Sequence, residues 1–267
     1  MESDSLWLGA LRKPVKLLMF GFIGLTTLIY MWLVFNRILS ADAIGMHEMI
    51  RPEGRPLVTV MLLSFSAAVL FAGLYFSDFQ GAIEPAPTGP MDIFSLVIAR
   101  IAMIMVAFIV LVMFYEVVSR YVFSRPTLWA NELSLWIAAF VFLMAGQYAM
   151  QQRSHIRIYV IYDMMPRWLQ KTSDVLSLAL LLFFTFALVW GGYGDAETRF
   201  LRMETFGTAW DPPIPGIVKP AILILIVLVA IQAISNLIAD WHKLPEHHGP
   251  DEIDEVEIEN IRKTLEK

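Results

Sequence analysis

Residues 175–194 read VLSLALLLFFTFALVWGGYG, twenty positions without one charged side chain. At about 1.5 Å per residue a helix of that length covers roughly 30 Å, the thickness of a bilayer's hydrocarbon core. Within that core only a helix or a closed barrel satisfies every backbone N–H and C=O without water. The stretch therefore predicts a membrane-spanning helix. Scanning outward finds four more charge-free blocks: 133–152 and 220–239 on either side, then 17–35 and 57–77 toward the N-terminus. A sixth block, 95–118, holds an apolar run from Ile101 to Tyr115 bounded by Arg100 and Glu116. It spans if those two charges lie at the interfaces or against protein.

The bulk composition agrees. The chain has 267 residues, 57% of them hydrophobic and 17% charged, more apolar and less charged than an ordinary soluble domain. The expected fold is all-α, a polytopic membrane helix bundle of about six spans. Residues 1–92 form an N-terminal extension with two spans and a linker, 93–243 a four-span domain, and 244–267 an acidic cytoplasmic tail. The first apolar block is too long for a signal-peptide core and is expected to be retained. The stretch 78–92, DFQGAIEPAPTGPMD, has three prolines and reads as a linker.

Orientation follows from Lys and Arg in the connecting segments. With both termini cytoplasmic, the inside segments carry eleven basic residues, including Arg12, Lys13, Lys16, Arg153, Arg157, Arg167 and Lys171. The outside segments carry eight, including Arg37, Arg120, Arg125, Arg199 and Lys219. The bias places the termini inside, although the 78–92 stretch, inside on this topology, has no basic residue.

Several function classes are disfavoured. There is no cysteine, so thiol and disulfide chemistry are excluded, and no GxxxxGK[ST] loop, so ATP hydrolysis by this chain is unsupported. None of the five histidines (His47, His155, His242, His247, His248) lies inside an apolar block, where axial haem ligands would have to sit. No Ser/His/Asp grouping is legible, so no enzyme activity and no cofactor are expected. The net charge of -5 is concentrated in the tail, which does not suit nucleic acid or an anionic surface. Ile258, Ile261 and Leu265 fall at helical spacing there, but a solvated tail is the simpler reading. Matching broken hydrophobic segments in two halves, the mark of a complete secondary carrier, are absent.

What remains is polar architecture at the membrane boundaries. In EVVSRYVFSRPTLWANE, residues 116–132, Glu116 and Arg120 are four apart on one helix face in the favourable order. Trp129 suits the interface, and Asn131 or Glu132 the positive end of the next helix. The segment is either a turn with solvated charges or a charge cluster pairing across the hairpin or to a partner chain. In QQRSHIRIYVIYDMMPRW, residues 151–168, Ile156, Ile158, Val160 and Ile161 alternate with His155, Arg157 and Asp163. With Arg153, Arg167 and Trp168 they form either a simple basic cytoplasmic loop or an arm lying along the inner interface, apolar groups in lipid and basic groups toward headgroups.

The pattern ExxxRYVFxxPxxWxxE at Glu116–Glu132, then SHIRI at Ser154–Ile158 and YDxxP at Tyr162–Pro166, resembles the small permease subunit (DctQ-like) of tripartite ATP-independent periplasmic (TRAP) transporters, over roughly residues 93–243. The segment WDPPIPGIVKP, 210–220, is similar to one in members assigned to organic-acid or mannitol/chloroaromatic-type uptake. Two features depart from the family: Asn131 stands where an acid pair is common, and Tyr159 follows SHIRI where an acid is common. The resemblance implies a scaffold for a large TRAP permease subunit, which would itself carry the substrate and sodium sites, with a periplasmic substrate-binding protein and membrane lipid as further partners. It implies uptake of an organic acid driven by the sodium gradient, in the bacterial inner membrane. Glu116, Arg120, Trp129, Glu132, His155, Arg157, Asp163 and Lys219 would then be structural or partner-facing, and the 151–168 segment an interfacial arm. The alternative from another class is the membrane anchor subunit of an oxidoreductase.

Overall fold

A computed structural model describes residues 5–39, 44–50, 52, 54–81, 84–153, 162 and 164–242. Among them are seven α-helices and no strand: α1 (Arg12–Leu39), α2 (Met46–Ile50), α3 (Pro56–Ser77), α4 (Pro90–Tyr121), α5 (Ala130–Gln151), α6 (Arg167–Leu201) and α7 (Ile214–Asp240). A single 3-10 turn, Gly9–Leu11, precedes α1. Six of the helices are long and apolar enough to cross a membrane. Each contains one of the six blocks expected from sequence, except that Gln152, the last residue of the 133–152 block, caps α5.

The helix starts follow local chemistry. Proline opens α3 and α4 and stands second in α7, where its fixed φ suits a helix and its missing N–H costs nothing. Helix α4 runs 32 residues, so Arg100 and Glu116 are both helical, and so is Asp92 in its first turn. The stretch read as a linker therefore gives way to helix at Pro90. The short helix α2, in the loop between α1 and α3, was not expected from the sequence.

The long helices form a row. Helix α1 packs on α3, α3 on α4, α4 on α5, α5 on α7 and α7 on α6, with a lighter contact between α4 and α7. Few side chains are fully buried, as lipid rather than protein meets the outward faces. Between α1 and α3 the buried cluster is Ile29, Leu33 and Met61, flanked by the Thr26–Ser64 hydroxyl pair at 2.8 Å and the stacked rings of Phe22 and Phe71. Between α3 and α4 the backbones approach closely at Gly73: a Cβ there would lie 2.6 Å from Ile101 Cγ1.

Candidate functional site

Polar side chains hold the row together in three clusters. Where α3 finishes, residues 5–12 fold back on it. Asp78, almost fully buried, accepts hydrogen bonds from Ser5 Oγ, Trp7 N and Leu8 N at 2.8–2.9 Å, and Arg12 lies 3.3 Å from its other oxygen. The Arg12 guanidinium also sits 4.3 Å from the Phe79 ring centre. Next to it Glu84 takes both ends of Arg100, at 2.8 and 2.5 Å, together with Tyr148 Oη at 2.7 Å and Gly81 N at 2.8 Å. Arg100 uses its remaining reach on the carbonyls of Phe76 and Phe79. The segment after α3, the start of α4 and the end of α5 are thus tied by one carboxylate.

Both acids lie outside the spans, and both are held below their ordinary range. Burial alone would raise Asp78, but the N–H groups of Leu8 and Trp7, the Ser5 hydroxyl and the Arg12 charge outweigh it. Burial would likewise raise Glu84, but hydrogen bonds from Arg100, Gly81 and Tyr148 and the Arg100 charge prevail. A depressed folded-state pKa contributes stability that is complete above the ordinary values of 4.5 for Glu84 and 3.8 for Asp78. That contribution wanes as pH falls below them and vanishes once pH drops beneath the folded values. Thermal melts should therefore be flat from about pH 6 to 8 and fall below about pH 4. Glu84→Gln should lower the plateau and flatten the acid limb; an acid limb unchanged by Glu84→Gln together with Asp78→Asn would contradict this assignment.

At the same end, a chain of neutral and acidic groups crosses three helices. Gln147 Nε2 on α5 donates to Ser95 Oγ on α4 at 2.8 Å, and Ser95 donates to Gln232 Oε1 on α7 at 2.9 Å. Gln232 Nε2 donates to Asp92 at 2.6 Å and to Asn236 Oδ1 at 2.8 Å, and Asn236 Nδ2 donates to the Met150 carbonyl at 2.7 Å. Thr88, through N and Oγ1, caps the other oxygen of Asp92. Asp92, Ser95, Gln147 and Gln232 are all essentially excluded from solvent. Gln232 turns its amide nitrogen toward Asp92. That choice fixes the direction of every bond back to Gln147.

The opposite ends of the helices carry the third cluster. Glu116 is buried and accepts from Arg120 at 2.9 and 2.5 Å, from Thr127 N at 2.9 Å and from the Thr127 hydroxyl, so one carboxylate closes the α4–α5 turn. Half of the Arg120 side chain is exposed. Trp129 stacks on Tyr115 at 5.7 Å. Glu132 accepts from Thr208 Oγ1 at 2.8 Å, Asp211 N at 3.1 Å and Trp210 N at 3.3 Å, fastening the α6–α7 loop to α5. The buried Trp210 then donates Nε1 to the Met46 carbonyl at 2.9 Å, joining the α1–α3 hairpin to the same corner. Lys219 pairs with Asp195, which also takes Arg199 at 2.9 Å. Because Glu116 has four donors and half of Arg120 is exposed, so that solvent screens the pair, Glu116→Gln should cost more thermal stability than Arg120→Gln. Equal losses would place the two groups in the same environment and contradict the arrangement.

Of the residues expected in an interfacial arm, Arg153 follows α5 and pairs with Asp240 at 2.5 Å, Arg167 bonds Gln170 at 3.2 Å, and Trp168 is exposed at the start of α6. Tyr162 donates to Asp174 at 2.7 Å, and its carbonyl accepts from Gln170. His155, Ile156, Arg157, Ile158, Ile161 and Asp163 lie outside the described residues. Sequence reasoning missed Asp78, Glu84, Asp92, Ser95, Gln147, Tyr148, Gln232 and Asn236. A signal did exist, because Gln147 with Gln151 and Gln232 with Asn236 are amides one helical turn apart inside apolar runs. Among the described residues no cluster of His, Cys, Asp and Glu could hold a metal ion. Among the described residues the arrangement is one of cross-braces.

Comparison with known proteins matches residues 109–243, just over half the chain, to the family described as tripartite ATP-independent periplasmic transporters, DctQ component. A curated relative, the C4-dicarboxylate TRAP transporter small permease protein DctQ of Vibrio cholerae serotype O1 (strain ATCC 39315 / El Tor Inaba N16961), is 29% identical over 109 residues. The match covers 41% of this chain and 47% of that protein, so the chain spans about half the length of the curated relative it matches. No solved structure matches.

Proposed function

Because the chain belongs to the DctQ component family of tripartite ATP-independent periplasmic transporters, and is thus a small permease subunit with multiple membrane spans, we propose that it acts as the fixed scaffold against which a large permease subunit moves substrate. The observation that carries this reading is the bracing itself. Helices α3, α4, α5 and α7 are linked through side-chain hydrogen bonds at both ends of the row. A part that changed shape in each cycle would have to break several buried polar contacts at every turnover, at about 1–3 kcal/mol for each group left unpaired. A scaffold keeps them.

In this reading a periplasmic substrate-binding protein delivers an organic acid, the sodium gradient drives entry, and both chain termini face the cytoplasm. C4-dicarboxylates are the first substrates to try, given the name of the Vibrio relative. Basic groups of the 151–168 arm would hold the subunit at the inner leaflet, each near an anionic headgroup worth about 1 kcal/mol.

The test is reconstitution. Vesicles holding this subunit alone should show no sodium-dependent uptake of radiolabelled dicarboxylates, and vesicles holding it with a large permease subunit should show uptake once the binding protein is added. Uptake by the single subunit, or full uptake by the large subunit without it, would overturn the reading.

A further inference from the structure

We infer that the large permease subunit docks on the α6 edge of the helix row, along the seam Leu176, Leu180, Phe183, Ala187, Trp190 and Gly194. This rests on the scaffold reading above and adds which surface receives the partner.

A row of helices has two edges, here α1 and α6. Every residue of α1 and α3 lies outside the family match at 109–243, whereas α6 lies wholly inside it. A partner common to the family must meet a surface common to the family, which the α1 edge is not. On the other flank of the matched region, α4 is already covered by α3 through the close approach at Gly73, the Phe65–Phe108 ring contact at 5.4 Å and the Glu84–Arg100 pair. The hairpin thereby occupies the side of α4 that faces α3.

Among the described residues the α6 edge is open. Among the described helices its one substantial neighbour is α7. The six seam residues are spaced 4, 3, 4, 3, 4, the interval that keeps side chains on one face toward a helix crossing at a shallow angle, and all six are exposed. Phe183 and Trp190 project furthest, 70% and 79% exposed. Gly194 and the adjacent Gly191 leave their surroundings free, as a Cβ on either would meet nothing within 4 Å, so a partner backbone can come close between the aromatic knobs. Both ends of the helix are also held: Tyr162 bonds Asp174 at one end and Lys219 bonds Asp195 at the other. The seam thus keeps a fixed bearing toward whatever packs on it.

The chain has no cysteine, so single cysteines can be placed at Phe183 and Trp190 on the seam and at Phe20 and Trp32 on the α1 edge. In the complex with the large permease subunit, a short thiol-to-amine or photoactivated crosslinker should join the large subunit to the cysteines at 183 and 190 and not to those at 20 and 32. Gly194→Leu and Ala187→Phe should cut copurification of the large subunit at least about fivefold, roughly 1 kcal/mol, while the helical content and membrane insertion of the subunit stay unchanged. Crosslinks from the α1 edge only, crosslinks from the seam to a second copy of this chain, or a complex that forms with no seam crosslink would each overturn the docking edge and leave the scaffold reading standing. Failure of the unmodified chain to copurify with a large permease subunit at all would overturn the scaffold reading, and the docking edge with it.

Discussion

Arg100→Met is expected to destabilise the protein by about 3–5 kcal/mol, the usual cost of stranding one member of a buried ion pair. Glu84 is nearly excluded from solvent, and Arg100 supplies two of its four donors. Without the guanidinium the carboxylate keeps Tyr148 and Gly81 but loses its countercharge. The carbonyls of Phe76 and Phe79 lose their donor too. The double replacement Arg100→Met with Glu84→Met should recover much of the loss, because an apolar pair of similar volume need not be worse than a buried ion pair. Thermal or denaturant unfolding of the four proteins in the same detergent gives the cycle. A single Arg100 variant within about 1 kcal/mol of the parent would mean that water reaches Glu84 and that the pair behaves as a surface bridge.

Gln232→Leu should have the next largest effect, about 2–4 kcal/mol, since it leaves Asp92, Ser95 and Asn236 each short of a partner in a dry interior. Interhelical hydrogen bonds in membranes often contribute less, about 0.6 kcal/mol on average, because a loosened helix finds other partners. What raises the figure here is the acid: Asp92 retains only Thr88 as donor once the amide is gone. Asp92→Leu with Gln232→Leu should therefore be less harmful than Gln232→Leu alone. If the single and double variants melt alike, the Asp92–Gln232 bond carries no coupling.

The difference between what could and could not be read from the residues has a physical origin. The six spans were legible because charge is the costliest group to place in hydrocarbon, so its absence over twenty residues, as in 175–194, is decisive. The α4–α5 turn was half legible. The i,i+4 spacing of Glu116 and Arg120 put them on one face, but only the fold brings Thr127 onto Glu116 and leaves Arg120 half exposed. Ser95, Gln147 and Gln232 were invisible to a search for charge, because neutral groups cost little enough to sit in an apolar run and reveal their partners only across helices. The prolines of 78–92 suggested a loose connection, yet its acids Asp78, Glu84 and Asp92 are hydrogen-bond centres, and no local pattern announces partners 64 to 140 residues away.

The scaffold claim is tested most directly by distances within this subunit during transport. Spin labels on cysteine pairs spanning α3 to α6, in the reconstituted complex with the large permease subunit and binding protein, should report the same distance distribution in sodium-free vesicles and in vesicles turning over substrate with sodium. A shift of the α3–α6 distance between the two conditions, tracking substrate and sodium, would contradict the account, for the braced row would then be part of what moves.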